Sequence, residues 1–471
     1  MDDRMTTSTL NFPPGPPQIN NMLEALLLGF KYQRDMLGTI SEQFRIYGDT
    51  YAIRFKKGVQ IVLSNPDHIH QVLVTDAHKY HKGPDYSNPN IGLTFFLGNG
   101  LLTNEGEFWK RQRRLIQPAF HARRIEAYAD TMVAYAQQTM AGWRDGMAVE
   151  VDDAMMNLAL NIVAKTLFSS DVSGDAERIG SAMTVLQHMA ADIQLIPHWV
   201  PTPARFRRQR ALRDLDAIVY RLIAEWRESG DDRGDLLSML LLARDDDGEG
   251  MTDKQVRDEA VTIMLAGHET TANAMNWTWV LLAQNPDVEA KLHDELDRVL
   301  GDRPPTLENL KRLPYTDMVV KESMRLYPPA YGFSRWAIED TQIGNYDVPK
   351  GSVVGVSTYA THHDPRWWDA PERFLPERFS EESEKQLPRY AYLPFGGGPR
   401  VCIGNSFAMM EARLLLATMA QRYRLRLAPG QIVGTDPLIT LRPKGGLRMT
   451  VEDRKPTMRG GIPDRVVVGT V

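Results

Sequence analysis

The sequence predicts a mainly α-helical protein with a small β subdomain, and three observations lead there. From Thr252 to Asn285 a helix-forming pattern runs without a proline, and Thr252-Asp-Lys-Gln255 opens it with a capping box. Residues from about 125 to 245 read mostly as amphipathic helices, broken at Pro197, Pro201 and Pro203. Strand-like runs are short and few, the first being Thr50-Tyr-Ala-Ile-Arg-Phe-Lys56 and Val59-Gln-Ile-Val-Leu63 on either side of Gly58. One domain is expected over residues 21–453, with a proline-rich segment (1–20) before it and a tail (454–471) after it.

Composition narrows the function classes. Hydrophobic residues at 43% and charged residues at 24% of the 471 are ordinary for a globular protein. Lys and Arg number 55 against 60 Asp and Glu, a net charge of −5, so there is no nucleic-acid footprint at the level of the whole chain. Cys402 stands alone, which excludes an intrachain disulfide and fits a reducing compartment. The apolar patch Met22 to Phe30 is interrupted by Glu24 and falls far short of the ~20 residues a membrane span needs. The expectation is a cytoplasmic protein without a membrane anchor.

Taken in order, Phe12-Pro-Pro-Gly-Pro-Pro17 reads as a stiff extended segment before the two strands. His81 to Leu102 reads as a long loop, rich in Gly, Pro, Asn and aromatics. In Trp109-Lys-Arg-Gln-Arg-Arg114, Trp109 and Arg113 are four apart and share a helix face. Lys110, Arg111 and Arg114 then point elsewhere, toward solvent. Met183, Leu186, Met189 and Leu195 have helical spacing and read as core. The uninterrupted helix that follows should reach roughly 50 Å at 1.5 Å per residue. In its middle lies Ala266-Gly-His-Glu-Thr-Thr271. Ala266 and Gly267 leave a surface of little bulk, and Glu269 and Thr270 put a carboxyl and a hydroxyl beside it. The Thr270 hydroxyl can bond a carbonyl one turn back and bend the helix locally.

Asn285-Pro286 opens the next helix with cap and N1 proline in order, and Gly301 ends it. A helix from about Tyr315 carries Glu322 and Arg325, three apart and able to pair, before Leu326-Tyr-Pro-Pro329 stops it. His362 and His363 are adjacent and lack metal spacing. Ala330-Tyr-Gly-Phe-Ser-Arg335 leaves the proline stop as an extended stretch, and strands follow near Val353–Ser357, Arg424–Leu427 and Leu447–Val451. Leu438-Ile-Thr440 reads as the tip of a hairpin. Phe395-Gly-Gly-Gly-Pro-Arg-Val-Cys-Ile-Gly404 is the most informative stretch. Glycines and a proline preset a tight loop, a helix-forming run begins just after Cys402, and Arg400 lies two residues before it. A thiol at a loop-to-helix entry is expected to have a lowered pKa and to favour the metal-binding thiolate.

Phe395, Gly398, Arg400, Cys402 and Gly404 resemble the heme-binding signature of the cytochrome P450 family. With that resemblance, essentially the whole chain before the tail falls into the family's order. It implies a P450 fold with heme b held between the long central helix and the cysteine loop, and Cys402 as the axial ligand of its iron. It also implies a cofactor set of Trp109, Arg113, Ala266, Gly267, Arg335, Phe395, Gly398, Arg400 and Gly404, with the arginines on the propionates. Ala266–Thr271 resembles the family's oxygen-activation motif, with Glu269 and Thr270 as the proton-delivering pair. Glu322 and Arg325 are similar to a buried structural pair, with Arg378 of Pro376-Glu-Arg-Phe379 as third member and Arg373 of the second copy as the alternative. The 81–102 loop resembles a substrate lid; Phe95, Phe96, Ala330, Tyr331, Phe333 and Leu438 are the pocket candidates.

The implied activity is a monooxygenase that inserts one oxygen atom of O2 into a hydrophobic fatty-acid-, terpenoid- or steroid-like molecule. No dinucleotide fingerprint follows a strand and no cysteines remain for an iron–sulfur cluster, so electrons must come from a separate ferredoxin, or a flavodoxin or reductase. Arg111, Arg114 and Arg413 are the candidate docking cations, and a monomer is expected. A peroxide-driven peroxygenase of the same fold is one rival, against which the Glu269–Thr270 pair argues. A heme-based ligand carrier or sensor is the other.

Overall fold

The computed structural model describes residues 10–83, 86, 93–168, 176–191, 202–230 and 234–454. Leu195, Pro197, Pro201 and the tail beyond Arg454 lie outside them. Helices α1 (Met22–Arg34) and α2 (Met36–Tyr47) precede a hairpin of β1 (Thr50–Phe55) and β2 (Gly58–Leu63). After β3 (Tyr80–His81) come α3 (Gly106–Ile116), α4 (Ala129–Met140), β4 (Ala148–Glu150), α5 (Val151–Phe168), α6 (Ala176–Ala191) and α7 (Pro203–Ser229). The long helix α8 (Asp253–Gln284) leads to α9 (Pro286–Val299) and α10 (Pro314–Leu326). Strands β5 (Phe333–Ala337), β6 (Thr341–Ile343), β7 (Tyr346–Val348) and β8 (Val353–Val356) precede the cysteine loop and α11 (Asn405–Ala420). The chain closes with β9 (Tyr423–Leu427), β10 (Gly434–Pro437), β11 (Leu441–Lys444) and β12 (Arg448–Asp453).

The main sheet has the order β1-β2-β8-β5-β3. Only β2 and β8 run parallel, and the remaining pairs are antiparallel. A second sheet, β4-β12-β9, and the hairpins β6-β7 and β10-β11 complete the β structure. Phe95, Phe96 and Leu97 form a short helix, Thr94–Leu97, inside the stretch read as loop. Asn285 gives no side-chain cap to α9; its amide nitrogen instead donates to Leu281 O at 2.7 Å.

Helix α8 organises the interior. Both halves of the Thr252–Gln255 capping box are formed, and its 32 residues give the length expected to cross the molecule. Val256 to Leu265 belongs to one apolar core, together with Phe96, Leu97, Met183, Leu186 and Trp226. Ala272 to Leu282 belongs to another, built with α4, α5, α9, α10 and α11. Burying a large apolar side chain contributes about 1.5–3 kcal/mol, so each half of α8 is held by many such contacts. Between the two cores lies a seam. From Val256 to Leu282 every residue is buried except Ala266, Gly267 and Thr270. A helix buried on all sides with one small, partly open patch in its middle is facing an internal space.

Candidate active site

Cys402 also combines enclosure with access. Its side chain is exposed even though protein atoms surround it deeply enough for burial to dominate its titration. A group both enclosed and reachable lines an internal slot. Ile403, next to Cys402, packs against the core that contains Leu265, next to Ala266. Thr271 Oγ1 donates to Glu411 Oε2 at 3.3 Å, tying α8 to α11, the helix after the cysteine. Burial pushes the Glu411 carboxyl up to about 8, so this tie is held by a largely neutral acid at pH 7.

The cysteine loop is shaped by its glycines and by one backbone bond. Cys402 N–H donates to Phe395 O at 3.0 Å, closing the loop into a narrow turn before α11. Gly398 has φ +65°, and a Cβ there would fall 1.8 Å from Leu73 O, so only glycine seats the loop on the turn Gln71–Thr75. Gly404 N–H bonds the sulfur, and Arg113 lies near enough to favour the thiolate. Burial outweighs both and pushes the thiol up, which corrects the expectation of a lowered pKa. The helix entry supplies its N–H as expected, but the pocket is too dry for the dipole to win without a cation on the sulfur.

Three of the predicted cations converge. Arg113 Nη1 donates to Val401 O at 2.9 Å, within the cysteine loop. Arg400 donates to Asn104 O at 3.0 Å, bonds Glu105, and lies 4.2 Å over the Trp109 ring. Burial first, then repulsion from Arg335 and Arg113, pulls Arg400 down to about 10. Arg335 is itself buried, with Nη1 donating to Ser334 O at 2.8 Å. Arg400, repelled by both Arg335 and Arg113, marks a gathering of guanidinium groups that would suit a ligand with more than one negative charge.

Other predicted residues are placed differently. A Cβ on Gly267 would meet Val163 Cγ2 at 2.9 Å, so that glycine permits close packing of α8 on α5, while Ala266 and Thr270, one turn apart, form the open face. Thr270 Oγ1 donates to Ala266 O at 2.6 Å. Glu269 turns away from this face and is fully buried against the β10–β11 hairpin. Phe96 is 2% exposed and belongs to the core, whereas Phe95 is half-buried with the Arg208 guanidinium 3.6 Å above its ring. Phe333 packs against the core of the main sheet. Ala330 is exposed, and Tyr331 Oη donates to Leu438 O at 2.7 Å, linking two pocket candidates.

Each of the candidate docking cations has an acidic neighbour. Arg111 bonds Asp245 at 2.6 Å, Arg114 bonds Asp246 at 2.5 Å, and Arg413 bonds Asp317 at 3.3 Å. The acidic run Asp245–Asp247 folds back over α3, so the groove there, about 620 Å³, carries both signs of charge. Lys110 and Arg114 both remain well exposed, Lys110 paired with Glu107 and Arg114 with Asp246.

The Glu322–Arg325 pair is fully buried, with Arg325 Nε 2.7 Å from Glu322 Oε2. Arg378, not Arg373, reaches Glu322, at 3.3 Å; Arg373 contributes only its carbonyl, to Arg325. His362, set aside in the sequence for want of metal spacing, completes the brace. Its Nε2 accepts from Leu393 N–H at 2.9 Å, two residues before Phe395, and its Nδ1 lies 3.2 Å from Arg325 O. Burial holds this histidine well below its usual pKa, so it is neutral, with the proton on Nδ1. Only the three-dimensional path of the chain brings it there, and no local motif signals it.

A reachable, enclosed thiol, a bulk-free patch on a buried helix and a group of arginines are residues whose chemistry would fit a heme. The sulfur suits the iron, Ala266 leaves room for a flat ring, and the arginines suit two carboxylates. Comparison with known proteins agrees. A family model described as Cytochrome P450 matches residues 13–448. The chain is 37% identical to Cyclooctat-9-en-7-ol 5-monooxygenase of Streptomyces melanosporofaciens, over 82% of this chain and 84% of that protein. It is 34% identical to Pentalenene oxygenase of Streptomyces avermitilis, over 87% and 91%. The crystal structure of cytochrome P450DA heme domain matches with TM-score 0.86 and 26% identity, covering 96% of this chain and all of that one.

The chain belongs to the cytochrome P450 family. It is a heme b-dependent monooxygenase, which uses O2, a hydrophobic substrate and electrons from a redox partner. Among the described residues no helix is long and apolar enough to cross a membrane.

Proposed function

We propose that this monooxygenase hydroxylates a terpenoid, with Cys402 as the iron ligand and Thr270 as the slot-facing group that handles protons. The observation that carries the reading is the seam at Ala266, Gly267 and Thr270, open where the rest of α8 is buried, together with the enclosed but reachable thiol of Cys402. Bound heme supplies the activation of O2. The chain supplies the rest. Cys402 gives its sulfur to the iron, steadied by Gly404 N–H, and Arg113, Arg335 and Arg400 take the propionates. The Thr270 hydroxyl, held by Ala266 O, leaves its oxygen free to accept a hydrogen bond from a water in the slot. Glu269, the neighbouring carboxyl on α8, is turned to Arg442 and Thr440, so it can serve as a source of protons to the slot only if it leaves those partners. Ala330 and the turn at Leu438 add apolar surface, which suits a hydrocarbon skeleton. The relatives named for cyclooctat-9-en-7-ol and pentalenene, both terpenoids, support that substrate class over a fatty acid. A ferredoxin or flavodoxin delivers the electrons, and the protein works as a cytoplasmic monomer.

Thr270→Ala tests the proton role. The expected result is a several-fold rise in peroxide released per NADPH consumed with a surrogate ferredoxin system, at unchanged heme content. Unchanged coupling removes Thr270 from the mechanism. Titrating polycyclic terpenes, fatty acids and steroids while following the Soret band tests the substrate class; a response to fatty acids alone overturns it.

A further inference from the structure

The side chain of Glu269 does something more specific than border the slot. Its Oε1 accepts from Thr440 Oγ1 at 2.6 Å and from Arg442 Nε at 2.8 Å, and Arg442 Nη2 lies 2.7 Å away. Thr440 Oγ1 in turn accepts from Asn273 Nδ2 at 2.9 Å. Glu269 and Asn273 are one turn apart on α8, while Thr440 and Arg442 flank Leu441 where the β10–β11 turn enters β11. Glu269 is fully buried and the Arg442 side chain is 13% exposed. A buried ion pair with added hydrogen bonds is geometrically stringent, and its best-attested role is to fix one arrangement rather than to add stability.

What it fixes is the turn Leu438–Thr440. Ile439 packs against the core that contains Phe96, Leu97, Ile263 and Leu265, and the Leu438 carbonyl receives the Tyr331 hydroxyl. Leu441, the first residue of β11 after the turn, is held separately by its backbone: Trp277 Nε1 donates to Leu441 O at 2.9 Å, and Leu441 N–H to Pro329 O at 3.0 Å. The backbone of β11 at Leu441 is thus anchored apart from Glu269, while the side chains of Thr440 and Arg442 on either side of it are held by Glu269 and set how the turn enters the strand.

We propose that Glu269, Arg442, Thr440 and Asn273 form a latch that fixes the Leu438–Thr440 turn as the wall of the substrate pocket, making Arg442 a specificity-determining positioning residue. The inference rests on the monooxygenase site described above and adds a resting role for Glu269. While latched, the carboxylate belongs to the hairpin; a substrate that seats against the turn without displacing it leaves the latch closed.

Arg442→Met removes the cation at similar length, Arg442→Lys keeps a charge, and Thr440→Val removes the shared hydroxyl without burying a new charge. Two readouts need no turnover. Hydrogen exchange over residues 434–444 should speed at least tenfold in Arg442→Met and Thr440→Val, with residues 256–265 unchanged. The ratio of affinities of the heme-loaded ferric protein for 4-phenylimidazole and imidazole, read as Soret shifts, should change at least fivefold in the same variants. The bulky ligand should account for that change, and Arg442→Lys should restore much of the wild-type ratio. Exchange and affinity ratio as in wild type, in variants that melt normally, overturn the latch. So does a uniform rise in exchange across α8, which would mean a general loss of stability. Failure of the monooxygenase reading would appear instead in the wild-type protein, as a missing heme-thiolate spectrum or absent product.

Discussion

Cys402→Ser is expected to abolish the red-shifted Soret band of the reduced carbon monoxide complex and to eliminate monooxygenase turnover, while leaving the fold intact. The loop does not depend on the sulfur: Cys402 N–H still bonds Phe395 O, and Gly398 still seats against Leu73. Serine fits the volume. What it lacks is a soft anionic donor, since a hydroxyl ionises far less readily and gives the iron much less electron density. The free thiol is held up by burial, so in the wild-type protein the cation itself must draw off the proton, helped by Gly404 N–H and Arg113. The hydroxyl gives that cation nothing comparable. Heme content, thermal melt and the carbon monoxide difference spectrum of the same preparation decide the matter. A variant that keeps the thiolate-type band removes Cys402 as ligand.

The parts of the site legible in the sequence are those whose chemistry is local. The cysteine loop announces itself because glycine, proline and cysteine at short spacing have few other uses, and the capping box at Thr252 with no proline before Pro286 marks α8 from end to end. Arg335 and Arg113 both lie close enough to Arg400 to act on its charge. Direction was not legible. Glu269 and Thr270 are neighbours in sequence, yet about 100° apart around a helix, and only the position of β11 decides that one faces Arg442 and the other the slot. Gly267 illustrates the same limit, because a missing side chain looks alike whether it makes room for a ring or for Val163. On α3, Lys110 and Arg114 do face solvent, and what the local sequence hides is the partner that Arg111 finds in Asp245, more than a hundred residues away.

Arg325→Ala should be among the most destabilising substitutions available outside the slot, at about 3–5 kcal/mol, the typical cost of leaving one partner of a buried ion pair alone. Glu322 and Arg325 are both inaccessible to solvent. Without the guanidinium, burial drives Glu322 to take up a proton, because the pull of Arg325 now opposing that shift is gone. The loss extends beyond the pair. Arg325 also donates to His362 O at 2.7 Å, Pro371 O at 2.8 Å and Arg373 O at 3.2 Å, so three carbonyls lose a donor at once. The His362 carbonyl loses its donor while its Nδ1 keeps the residue-325 carbonyl, so the support that His362 gives the cysteine loop through Leu393 N–H is loosened. Heme retention should therefore fall more steeply than helix content. Arg378→Ala should be milder, since Arg378 contributes one 3.3 Å contact to Glu322 and a 2.9 Å bond to Ala370 O. Arg373→Ala keeps the carbonyl that Arg325 uses and should behave as wild type. Heme occupancy after gel filtration, with the far-ultraviolet melt of each variant, gives the ranking. If Arg373→Ala loses heme and Arg378→Ala does not, the brace has been assigned to the wrong arginine; if Arg325→Ala keeps its heme, the cysteine loop does not depend on the brace.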